Sequence, residues 1–107
     1  MSKPLKVQIV EKARCLIEEK EHWCRGTLAV DAHGNPVCPT DSAAKRRCAL
    51  GALIAAAHDL TCNTRQAYDL AISVVRSCRA TSTLVNINDV RGHAAVLAFF
   101  DEVIATG

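Results

Sequence analysis

The sequence predicts a mainly α fold: a compact four-helix single domain over residues 1–107, with a short β-hairpin or irregular loop between helices one and two. Three observations predict it. Apolar residues recur at helical spacing in four stretches. Half of the residues are hydrophobic but only 4% are aromatic, so the core must rest on Ala, Leu, Val and Ile. One stretch, residues 22–41, interrupts the helical pattern with two glycines and two prolines.

The first helix is expected at about 5–20. Leu5, Ile9, Ala13, Leu16 and Ile17 form its apolar stripe, Lys and Glu fill the other face, and Ser2 with Pro4 suits a helix start. Gly26 then breaks the pattern. Asp31-Ala32-His33-Gly34 reads as a turn between two β-capable flanks, 27–30 and 35–37, and Pro36 and Pro39 limit any strand after it. The second helix is expected at 42–58, with Asp41-Ser42 as its cap. Ala44, Cys48, Ala52, Ala55 and Ala56, with Gly51 beside them, make one side small; Leu50, Leu53 and Ile54 make the other bulky. A helix apolar all round is a buried one, and the small side predicts close approach of a neighbouring helix. The third helix, at 64–79, opens with Asn63-x-x-Gln66 and carries Tyr68, Ala71, Ile72 and Val75 in a stripe. The fourth, at 91–105, follows an extended stretch over 81–89. Asn88 or Asp89 is its expected cap, and it holds both phenylalanines, Phe99 and Phe100. Helices two and four are expected at the centre, with one and three covering them.

Charge and cysteine usage narrow the function classes. Net charge is +2 from 13 basic and 11 acidic side chains, which gives no general attraction to nucleic acid or to an anionic membrane. Lys3, Lys6, Glu11, Lys12 and Arg14 interrupt every apolar run near the N-terminus, and no window approaches the ~20 apolar residues of a membrane span. The expected location is the cytoplasm. The six cysteines, at 15, 24, 38, 48, 62 and 78, form no C-x-x-C pair. They are expected to be reduced, and most of them to act as small hydrophobes.

An ordered set of short motifs runs from Trp23 to Leu97: Trp23-x-x-Gly26, Asp31-x-x-Gly34-x-Pro36-Val37, Cys48-Ala49-Leu50-Gly51-Ala52-Leu53, Asn88-Asp89 and His93-x-x-Val96-Leu97. In this order they resemble a family of small bacterial and phage-associated proteins known only as a domain of unknown function. The resemblance implies a compact, mostly helical single domain and brings no activity, substrate or cofactor. Where relatives often place Thr before the last helix, this chain has Gly92.

Three constellations carry candidate chemistry. Cys48 with His93 and Asp89 supplies the residue types of a cysteine hydrolase: nucleophile, base and orienting group. Against it, Cys48 is expected about two turns inside the second helix among apolar neighbours, where its own amide is committed and a thiol pKa rises. Packing is the expected role. His22, Cys24, His33 and Cys38 include zinc-ligand types, but their spacing matches no zinc-finger pattern and they are not expected to converge. Lys45, Arg46 and Arg47 form a short basic run that nucleic acid could use. Trp23 and Asn88 complete a possible interaction surface. The expected function is a small binding or regulatory module without catalysis. Its expected partner is a protein, nucleic acid being less favoured, with no membrane and no cofactor.

Overall fold

The computed structural model describes residues 3–77 and 81–106, with backbone alone for 81–83 and 106. In the first helix, α1 (Leu5–Leu16), Pro4 supplies the fixed entry φ and Val7, Ile9, Val10 and Ala13 are buried. The proposed start at Ser2 lies outside the described residues. The helix stops earlier than expected, with Ile17 as its C-cap. Glu18 and Glu19 follow, and acidic side chains at a helix C-terminus oppose its dipole. A 3-10 turn, Lys20–His22, takes their place.

The expected turn at Asp31–Gly34 forms. Asp31 Oδ1 accepts the amides of His33 and Asn35, each at 2.9 Å, and Gly34 has φ +83°. The strand pairing differs from expectation. Strand β1 (Ala29–Val30) pairs antiparallel with β2 (Arg46–Arg47), in register Ala29 with Arg47 and Val30 with Arg46. Residues 35–37 contribute only a bridge from Pro36 to Val30 and the amide of Val37 to Ala29 O at 3.0 Å. Arg46 and Arg47 of the basic run therefore sit in a strand, with Lys45 just before it, and not in the first turns of a helix. Three consecutive cations there would face the positive end of the helix dipole.

Helix α2 (Ala49–Thr61) starts seven residues after the expected position 42. Cys48, with extended φ −78° and ψ 177°, is its N-cap. This corrects the expectation that Cys48 lies two turns inside. Cys62 ends the helix in the left-handed region at φ 57°. Helix α3 (Thr64–Ser77) is capped as expected by Asn63, whose Oδ1 accepts the Gln66 amide at 2.8 Å. Its expected end near Arg79 lies outside the described residues. The stretch expected to be extended is instead α4 (Thr81–Asn86), running into a π-helical turn at Ile87–Arg91. Gly92, at φ +98°, separates that turn from α5 (His93–Thr106). Among the described residues there are thus five α-helices where four were expected.

Helix α2 packs against α1, α3 and α4, while α5 packs against α1 and the π turn. Helix α1, expected as a cover, is therefore packed between α2 and α5. The small face of α2 explains its position: Ala49, Ala52, Ala56 and Ala57 have no exposed surface and let several neighbours approach. Phe100, Ile9, Ile17, Leu53, Ile54 and Leu84 fill the space around them. The radius of gyration is 12.5 Å, near the ~13 Å of a compact folded chain of this length.

Candidate functional site

Trp23 and Gly26, Cys48 and Ala49, and Asn88 and Asp89 come from three separate stretches of the chain and meet at the start of α2, with His93 packed against Trp23 beside them. Asn88, on the π turn, is 2% exposed and is the buried polar side chain among the described residues. Its Oδ1 accepts the indole N–H of Trp23 at 2.7 Å and the Ala49 amide at 2.9 Å. Both partners only donate, which fixes the amide's orientation. Its Nδ2 donates to Cys24 O at 3.2 Å and to Asp89 Oδ1 at 2.9 Å. Asp89 Oδ1 also accepts the Gly26 amide at 3.1 Å. Asn88 was expected to cap the last helix. It caps α2 instead, across 39 residues of chain, by satisfying a first-turn amide that the helix leaves unpaired.

Cys48 completes the same helix end. Its Sγ accepts the Gly51 amide at 3.3 Å, and its own amide donates to Leu28 O at 3.1 Å. The thiol is buried, and burial pushes its pKa up; the amides of Gly51 and Leu50 offset this only in part. Gly51 has a steric reason to be glycine. A Cβ there would stand 2.0 Å from Leu28 O, so the close approach is to the backbone leading into β1 and not to a helix as expected.

His93 has a different partner. Its Nε2 lies 2.5 Å from the carbonyl of Ile17. A carbonyl only accepts, so this nitrogen carries the hydrogen and ties down the end of α1. The ring also packs against Trp23 at 5.6 Å between centroids, and the Arg25 guanidinium lies 5.1 Å from the Trp23 ring centroid. Among the described residues, no hydrogen bond joins Cys48 to His93 or to Asp89.

The other candidates spread out. Cys24 Sγ donates to Thr27 O at 3.6 Å, and burial pushes its pKa up to about 11. His22, His33 and Cys38 are exposed on the 3-10 turn, the 31–34 turn and the following loop. No three His, Cys, Asp or Glu side chains gather to hold a metal among the described residues. Lys45 and Arg46 are exposed, but Arg47 is half-buried and its Nε donates to Pro39 O at 2.9 Å. Its guanidinium braces the loop.

A small pocket opens beside this knot. It has a volume of about 190 Å³ and is lined by Gly26, Thr27, Leu28, Cys48, Leu50, Leu84, Val85, Asn88 and Asp89. Two larger grooves, of about 770 and 690 Å³, are open surface features that share Glu21 and Arg46. Sequence reasoning singled out Cys48, Asn88 and Asp89 but missed Thr27, Leu84 and Val85, which carry no chemical motif of their own. The order of the motifs was the available signal, because most of them end at this one place. Asp31-x-x-Gly34 does not; it forms the distal turn.

No helix among the described residues is long and apolar enough to cross a membrane. The family model described as "Family of unknown function (DUF6197)" matches residues 1–106. No curated protein matches the chain. No solved structure matches it.

Proposed function

For a chain that belongs to DUF6197, a family of unknown function, we propose a small binding or regulatory module without catalysis of its own. One observation carries this reading: the candidate nucleophile and the candidate base are both committed to holding the fold. Cys48 Sγ accepts a helix amide and His93 Nε2 donates to Ile17 O. Both donor and acceptor ends of Asn88 are engaged. A buried thiol with a raised pKa is a poor nucleophile. The binding element on this reading is the pocket beside the knot, together with the exposed surface of Lys45 and Arg46. The partner is a protein, and the module works in the cytoplasm as a single domain with its cysteines as thiols. Five described cysteines, Cys15, Cys24, Cys38, Cys48 and Cys62, are unpaired.

The test is thiol labelling of the native protein with iodoacetamide near neutral pH, mapped by peptide mass. Exposed Cys15, Cys38 and Cys62 should react first, with Cys48 protected until the protein unfolds. Rapid, selective labelling of Cys48 that disappears in His93→Ala would replace this reading with a cysteine hydrolase.

A further inference from the structure

We infer that the 190 Å³ pocket at the start of α2 receives a primary alkylammonium group, in the first place the lysine side chain of a protein partner. This rests on the binding-module reading and adds the chemistry of the bound group. The pocket has two unlike parts. Leu28, Leu50, Leu84 and Val85 give it apolar walls, and Asp89 places a carboxylate among them. A mostly apolar cleft with one placed polar group is the usual composition of a ligand site.

The carboxylate has capacity left. Asp89 Oδ1 takes both hydrogen bonds, from the Gly26 amide and Asn88 Nδ2. Asp89 Oδ2 accepts none among the described residues. The pocket therefore offers a negatively charged acceptor beside an apolar channel. Opposite charge selects a cation, and the channel selects one carried on a short alkyl stem.

A helix end also attracts anions, but two of its first-turn donors are already taken here, and the Asp89 carboxylate lining the same pocket repels negative charge. The Ala49 amide is held by Asn88 and the Gly51 amide by Cys48 Sγ. Size agrees with a small group. An apolar cavity of about 150 Å³ admits a molecule the size of benzene. The four methylenes and nitrogen of a lysine side chain therefore fit 190 Å³. The rim favours a protein as the source: Val85 is 44% exposed at the pocket wall and Val90, next to Asp89 in the chain, is 71% exposed. These apolar surfaces would contact the backbone that presents the lysine.

The experiment is a ¹H–¹⁵N correlation titration of the whole chain with the blocked peptide Gly-Gly-Lys-Gly-Gly. The same peptide with Glu in place of Lys, free n-butylamine and butyrate are titrated alongside. The lysine peptide should move the amides of Gly26, Leu50 and Asp89 in a saturable way, at roughly 10 mM or below for so small a group. The Glu peptide and butyrate should not. Asp89→Asn keeps an acceptor for Gly26 and should weaken binding at least tenfold. Val85→Phe fills the mouth from an exposed position and should do the same in a protein that stays folded, so loss of fold in the first variant leaves the second decisive.

Equal shifts with the Glu peptide or butyrate would overturn the inference. So would unchanged affinity in both variants, or no saturable shift at these amides with either amine. Binding of n-butylamine without the lysine peptide would overturn the protein source. None of these outcomes bears on Cys48 labelling, which tests the underlying reading separately.

Discussion

Asn88 is a short polar side chain in a place where apolar ones are the rule, and it is retained there by four hydrogen bonds. Asn88→Ala leaves the Trp23 indole N–H and the Ala49 amide without their acceptor. Each buried, unsatisfied donor costs about 1–3 kcal/mol, so a loss of about 3 kcal/mol or more is expected in urea denaturation. Cys48 gives a graded series at the same site. Cys48→Ser keeps a capping oxygen and should stay within about 1 kcal/mol of the parent. Cys48→Ala removes the cap and should cost about 1 kcal/mol. Cys48→Leu overpacks a buried position and should cost about 1–3 kcal/mol. The burial of Cys48 was legible from its apolar neighbours, whereas its place at the cap was not. Serine, threonine, aspartate and asparagine announce a helix start; cysteine does not. The bond from Trp23 to Asn88 crosses 65 residues, and no local pattern of side chains encodes a partner that distant.

Helices α1, α3 and α5 were legible because each keeps an apolar stripe at helical spacing, and α3 also announces its cap at Asn63. The start of α2 was misread because the alanine at 44 continues the small stripe of Ala52 and Ala56 at a four-residue interval. The stripe is a coincidence of register, and the cations at 45–47 were the contrary signal. Gly51 now has a sharp consequence. In an exposed helix, Gly→Ala gains about 1 kcal/mol of propensity. Here the new Cβ would meet Leu28 O at 2.0 Å and its carbonyl carbon at 2.9 Å. Backbone must move, so Gly51→Ala should lower stability by about 2 kcal/mol or more, read from the shift in thermal midpoint. The turn between α1 and β1 carries a pH dependence. Burial raises the Cys24 pKa from 9.0 to about 11. Between those values an unfolded Cys24 has lost its proton while the folded one keeps it. The unfolded state then binds fewer protons, and stability falls as pH rises across this window. Cys24→Ala should flatten part of that fall in denaturation curves collected from pH 8 to pH 11.

The helical class and the hydrophobic make-up of the core were readable at the scale of the whole chain; the arrangement of helices was not. Apolarity alone put the last helix beside the second, yet α1 packs against both α2 and α5. Arg14 on α1 joins Asp101 on α5 through Nε to Oδ1 at 2.5 Å and Nη2 to Oδ2 at 3.4 Å. Asp101 is largely exposed, and such pairs contribute little. Asp101→Asn should change stability by less than about 1 kcal/mol in the same denaturation assay, with high salt reducing the difference further. The long-range knot has a temporal side as well. A ribosome releases the chain from its N-terminus at about 5–20 residues per second. The 39 residues between Ala49 and Asn88 therefore open an interval of about 2–8 s. Throughout it, the start of the second helix and the Trp23 indole have emerged without the side chain that joins them. The first half of the polypeptide must wait for the second, so a chain stalled before Asn88 presents a half-capped helix, held by Cys48 alone, and a loose tryptophan to whatever chaperone or protease reaches it first.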